Sequence, residues 1–214
     1  MKKRDRLLKL WHHPGLFVSL GLFLLAGPAS AAMIILPRDA ALVGGVYGGV
    51  ARHEAKIETR SSAAGRSREY DAGAALAGIL LGLEGKKYRV STSFDRIEGG
   101  QTTQQRLFFN FDYMWGEECS AARFRPMIGA GIGSTESRYP SESGPRTFNT
   151  GSWALRGGFE YGLSADRSLE LLLEYSRPFS SGSDSDFSDS HFAITELVEQ
   201  QLLMLRIGYN FKVF

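Results

Sequence analysis

The chain has a single cysteine, Cys119, in 214 residues, so no intramolecular disulfide can form. It also lacks a long apolar run. The longest, residues 16–25, is half of the ~20 residues that a spanning helix requires. Residues 76–83 are shorter and are interrupted by Gly78 and Gly82. Nucleotide and metal motifs are equally scarce. Gly129-Ala130-Gly131-Ile132-Gly133 is Gly-rich, but it leads into the polar Ser134-Thr135-Glu136-Ser137 and not into a helix whose amides would face a phosphate. Asp184, Asp186 and Asp189 evoke a calcium loop, yet an EF-hand needs Gly where Asp189 stands and Glu where Thr195 stands. Glu170 and Glu174 share a face, but four residues of strand separate them by about 13 Å, too far for a carboxylate dyad. No catalytic, cofactor or metal residue is assigned.

The first 31 residues have a basic start (Lys2, Lys3, Arg4, Arg6 and Lys9 against Asp5), then the apolar run, then Pro28, Ala29, Ser30 and Ala31. This is the layout of a secretory signal peptide with cleavage near Ala31. His12 and His13 would leave with it. The whole chain carries 25 basic and 23 acidic residues. Residues 1–31 hold five and one of these, so residues 32–214 have 20 and 22, a net of −2. The basic balance thus belongs to the signal, and nucleic acid is not an expected partner. Cys119 lies far from the cleavage site, which excludes a lipoprotein-type attachment. Residues 32–214 are read as one domain.

What is present is strict alternation. From residue 202 the chain reads LLMLRIGYNFKVF: Leu203, Leu205, Ile207, Tyr209, Phe211 and Val213 share one parity, and Met204, Arg206, Gly208, Asn210 and Lys212 the other. Such a strand has one apolar and one polar face. Five more segments alternate as clearly, within residues 88–95, 106–115, 124–133, 153–163 and 169–175. Two earlier segments, 42–54 and 70–84, are rich in glycine and small apolar residues, and their facing stays open. The expected fold is therefore all-β: an eight-stranded antiparallel barrel, wound as an up-and-down meander.

Three features turn the apolar face towards lipid. Short connections (residues 85–87, 116–122 and 164–168) alternate with longer, polar ones (55–69, 97–105, 134–152 and 177–198), as in transmembrane barrels. Aromatics cluster at the strand ends: Tyr88, Tyr113, Trp115, Phe124, Tyr161, Tyr209 and Phe211 near the short turns, and Phe94, Trp153 and Tyr175 near the long connections. These fit two interfacial girdles. The polar parity collects Arg89, Arg106, Arg125, Arg156, Arg206 and Lys212 with Asp95, Asp112, Glu160, Glu170 and Glu174. A soluble sandwich core cannot hold unpaired charge, whereas an eight-stranded barrel interior is just wide enough to be filled by these side chains pairing with one another.

These residues resemble the small outer-membrane barrels of the OmpA, OmpX and opacity-protein type. The most specific local match is Pro126-Met127-Ile128-Gly129-Ala130-Gly131-Ile132-Gly133, which is similar to the P-x-x-G-x-G-x-G strand of opacity-like surface antigens. The terminal alternation resembles the last strand read by the barrel-assembly machinery, although Phe214 is one residue out of step. The resemblance implies a bacterial outer-membrane location after export, contact with outer-membrane lipids and lipopolysaccharide, and a non-enzymatic surface role in structure, adhesion or host interaction, with an extracellular ligand as partner. Two other classes stay open. One is a lipid A-modifying enzyme, whose deacylase type uses His-x-Ser; His53-Glu54-Ala55 and His191-Phe192-Ala193 do not match this, though Ser190, His191 and Glu196 are candidates to meet near the rim. The other is a small porin. Lys56, Arg60, Arg66 and Arg68 make the first long connection basic, and the fourth is acidic. Both are expected to be mobile loops in weak mutual contact, with the basic one available to phosphates or an acidic partner.

Overall fold

The computed structural model describes residues 40–61, 65–100, 102–115, 124–140, 145–179, 182–188 and 191–213. The expected signal peptide and its cleavage site, Cys119, Asp189, Ser190 and Phe214 lie outside them. The described residues form nine strands: β1 (Ala41–Ser61), β2 (Gly65–Glu84), β3 (Tyr88–Gly99), β4 (Thr102–Met114), β5 (Phe124–Tyr139), β6 (Arg146–Gly162), β7 (Arg167–Pro178), β8 (Gly182–Ser188) and β9 (His191–Val213). Every pairing is antiparallel. β1 to β7 pair in sequence order, β7 pairs with β9, and β9 pairs with β1 from Leu42↔Val213 to Ser61↔Ala193. That last ladder closes an eight-stranded meander. β8 is additional: it forms a hairpin with the start of β9, through Ser188↔His191, beyond the barrel proper.

Alternating exposure follows the alternating sequence. In β7, Ser168, Glu170, Leu172, Glu174 and Ser176 are buried inside, while Leu169 and Leu173 are exposed outside. The two ambiguous strands obey the same rule. Val43, Tyr47 and Ala51 of β1 and Leu76 and Leu80 of β2 point inward, and Leu42, Val46, Val50, Ile79 and Leu81 point outward. Apolar residues on both faces had hidden the parity. The exposed outer positions, such as Ile132 at 61 % and Ile207 at 61 %, join into a continuous apolar belt that water would not tolerate and lipid would. Aromatic pairs edge it. Tyr113 packs on Tyr88 and Trp115 near the short turns, with ring centroids 5.3 and 5.0 Å apart, and Trp153 meets Tyr175 at 5.8 Å near the other rim.

The long connections are shorter than expected because the strands run on. β1 and β2 pair up to Arg60↔Gly65, β3 turns into β4 at Gly99↔Thr102, and β5 and β6 pair up to Tyr139↔Arg146. Gly100 takes a positive φ of 59° in the β3–β4 turn, a conformation that glycine adopts without steric cost. Beyond the belt the outer face is no longer apolar, so hydrophobic alternation fades while the backbone ladder continues. The first and fourth connections therefore touch through the β1–β9 ladder, which carries a register shift between Lys56 and Ile57. This replaces the expected weak contact between mobile loops.

These extensions converge on a small apolar core above the belt, made of Ala55, Ile57, Tyr139, Phe148 and Leu197, with Tyr70 against it. The Tyr70 hydroxyl donates to the Pro140 carbonyl at 3.0 Å, tying β2 to the end of β5. His53, 1 % exposed, lies 2.9 Å from the Tyr139 hydroxyl through Nε2. Burial pushes its imidazole down from 6.5 to about 4, against the opposing charge of Asp71. The unfolded imidazole binds a proton below about pH 6.5 and the folded one only below about pH 4. The stability linked to this group is thus complete above pH 6.5 and is lost as pH falls towards 4, by on the order of 3 kcal/mol. In thermal unfolding at pH 7 and pH 4.5, His53→Gln should lose less stability between the two than the parent; equal losses would exclude this linkage.

Candidate functional site

The lumen holds the largest concentration of polar chemistry. Arg89 on β3 is fully buried and reaches three carboxylates: it donates Nε to Glu84 at 2.9 Å, Nη2 to Glu160 and Nη1 to Glu170. Arg125 of β5 joins Glu160 at 2.7 Å, and Lys212 of β9 joins Glu84 at 2.7 Å. Arg156 of β6 grips Asp112 of β4 with two hydrogen bonds, one of them Nε to Oδ1 at 2.6 Å. Nearer the long-connection end, Glu174 accepts from Arg106 and, at 2.9 Å, from Arg206. Asp95 lies 3.7 Å from Arg106 and accepts from the Tyr47 hydroxyl. The Arg206 guanidinium also stacks over the Tyr47 ring, 3.7 Å from its centroid.

All eleven charged residues assigned to the interior from the sequence lie there. Glu84 and Tyr47 were missed. Both sit on the two strands whose facing was ambiguous, and Glu84 ends a nearly continuous apolar run. Glu84 matters because it is the sixth interior anion. Among the described residues, six cations then face six anions in this network. His53, Gln104, Asn110, Gln200 and Asn210 are further buried polar residues. The glycines of β5 make room for the network. A methyl group at Gly129 would overlap the Asp112 carboxylate, and one at Gly131 would lie 2.5 Å from Asn110 Oδ1.

Outside, just beyond the apolar belt, charged pairs encircle the barrel. Arg52 binds Asp71 with two hydrogen bonds of 2.9 and 3.1 Å, Arg138 binds Glu136 at 2.9 Å, and Arg177 lies 3.4 Å from Glu199. Arg96 pairs with Glu98, and Lys56 lies 3.2 Å from Glu58. Each exposed pair contributes little stability, but together they set a polar collar above the belt.

The structure divides the four cations grouped in the sequence as one basic loop. None is in a loop. Lys56 lies on the outward parity of β1, with Arg52 and Glu54. Arg66 and Arg68 lie on the parity of β2 that continues the lumen side, opposite Thr59 and Ile57 in the ladder. The Arg60 backbone pairs with Gly65 and Ile194, and its side chain is outside the description. The side chains of Asp184, Asp186 and His191 are also outside it. His53 lies against Tyr139 of the apolar core.

No family model matches the chain, and no curated protein matches it. Solved structures do. Neisserial surface protein A aligns with a TM-score of 0.53 at 11 % identity, over 79 % of this chain and 97 % of its own. The outer-membrane protein OprG from Pseudomonas aeruginosa aligns with a TM-score of 0.55 at 15 % identity, over 81 % of this chain and 97 % of its own. At such identities the likeness establishes the fold: this chain has the architecture of the small eight-stranded outer-membrane β-barrels of the OmpA and OmpX type.

Proposed function

We propose that the protein is an outer-membrane barrel of a bacterium, with its short turns towards the periplasm, that it is non-enzymatic and non-conducting, and that it presents its strand extensions outside the cell for binding. The observation that carries this reading is the largely filled lumen: among the described residues, a network of twelve charges below and an apolar core above occupy it, with one small gap lined by Gln104, Thr135, Ser152, Ser176 and Gln200. The extensions are the part of the molecule left to meet other molecules. The collar arginines Arg52, Arg96, Arg138 and Arg177 stand at the level of outer-leaflet head groups, where lipopolysaccharide phosphates are the expected neighbours. Export with signal cleavage near Ala31 and handling by the barrel-assembly machinery belong to the same proposal. Among the described residues no specific observation favours the lipid A-modifying enzyme, because His53 is engaged with Tyr139 in an apolar setting.

Two outcomes follow from the filled lumen. The purified, refolded protein should show no steady conductance in planar bilayers; a large steady conductance would establish the small porin instead. Arg89→Leu should leave Glu84, Glu160 and Glu170 clustered without the guanidinium that joins them, at a cost of about 3–5 kcal/mol. The temperature at which the folded gel band converts to the unfolded band should drop accordingly. An unchanged conversion temperature would mean that water, and not Arg89, neutralises that cluster.

A further inference from the structure

The barrel wall has a seam just beyond the belt. β7 and β9 pair only as far as Ser176↔Leu202, and β9 meets β8 only from Leu197↔Gly182 outward. Between these two ladders, residues 199–201 of β9 pair with β1 on one side, and among the described residues no strand pairs with the other. Proline is the local cause. Phe179 donates its amide to Gly151 of β6 at 2.7 Å, so the residue before it would aim its amide at β9, and Pro178 has none to give. Side chains cross the seam on the outer face instead. Arg177 lies 3.4 Å from Glu199, and the Tyr175 hydroxyl donates to Gln201 at 3.2 Å. Behind the seam is the small gap in the lumen, lined by Gln104, Ser152, Ser176 and Gln200, with Arg177 and Pro178 at its outer side.

The side chains around this gap have hydrogen-bonding capacity to spare. Gln104, 2 % exposed, has no partner at either amide atom among the described residues. Gln200, 4 % exposed, donates Nε2 to Ser137 at 3.0 Å, and its Oε1 has no partner there. Their strands, β4 and β9, stand across the lumen from each other. A buried donor or acceptor without a partner is costly, so the gap offers one donor and two acceptors to its occupant. Size and charge select that occupant. The gap leaves about 10 Å³ for the centre of a water molecule, which is close to what one water needs and too little for a sugar or a lipid head group. Its lining is neutral apart from Arg177, which faces Glu199, so it offers no net charge to an ion. An apolar guest would leave all three amide atoms unpaired. We propose that one water molecule binds in this gap, accepting from Gln104 and donating to Oε1 of Gln200, and so ties β4 to β9 behind the seam. The site lies above the charged network and does not depend on what the strand extensions bind.

The test uses the full mature protein refolded in detergent micelles. In the parent, the side-chain amide protons of Gln104 should show a direct nuclear Overhauser cross-peak to water. Oxygen-17 relaxation dispersion counts the water molecules that stay bound for longer than the protein takes to tumble. Gln104→Met and Gln200→Met keep the side-chain length and remove the polar atoms. Each should lower that count by one. The two combined should again lower it by one, because both residues hold the same molecule. The heat-dependent gel shift reports separately that the barrel of each variant is intact. Absence of the cross-peak in the parent would overturn the proposal, as would an unchanged count in a gel-shifting Gln104→Met. A loss of two in the combined variant would overturn it too, since each glutamine would then hold a water of its own.

Discussion

The contact on which the rest depends is the three-way grip of Arg89. Glu160 and Glu170 stand directly opposite each other on β6 and β7, an arrangement that by itself repels. Arg89 comes across the lumen from β3, binds both and also holds Glu84 of β2. Strands on opposite sides of the barrel are thereby joined through the interior. Removing ions from water costs several kcal/mol each, and the pairing must offset that cost. The equal number of cations and anions is therefore a condition for filling the barrel with charge. The same side chains occupy the interior between the walls.

Glycine and charge are coupled in this design. β5 carries glycine on its lumen parity at positions 129, 131 and 133, and its neighbour β4 carries Asp112, Asn110 and Phe108 there. The bulky residues lean over the positions where β5 has no side chain. The Gly-rich segment that imitates a phosphate loop in one dimension is thus a spacer in three. Outside the barrel the same device recurs, with the Phe211 ring covering Gly44 on the outer apolar face.

Function is displaced to the ends. On the proposed reading, the lumen is consumed by structure and the belt by lipid, and what stays available is the collar and the strands above it. There the ladder continues without apolar alternation. The described parts of the extensions are accordingly held by backbone pairing and by the small core around Tyr139.

Much of this was legible in the amino-acid order. Period-two alternation in six segments determined the strand type, the lipid-facing parity and the interior position of eleven charges, because a side chain's face in a strand depends only on its parity. Turn lengths determined the meander. The sequence could not settle the facing of β1 and β2, where small apolar residues occupy both parities, and so it concealed Glu84 and Tyr47. It also ended the strands too early, since beyond the belt no solvent contrast marks the faces. Which charges pair was decided only by the tertiary structure: closing the barrel brings β3 across to β6 and β7. The separation of Lys56 from Arg66 and Arg68 was decided there too, because the register of a hairpin places residues that are neighbours in sequence on opposite sides of one sheet.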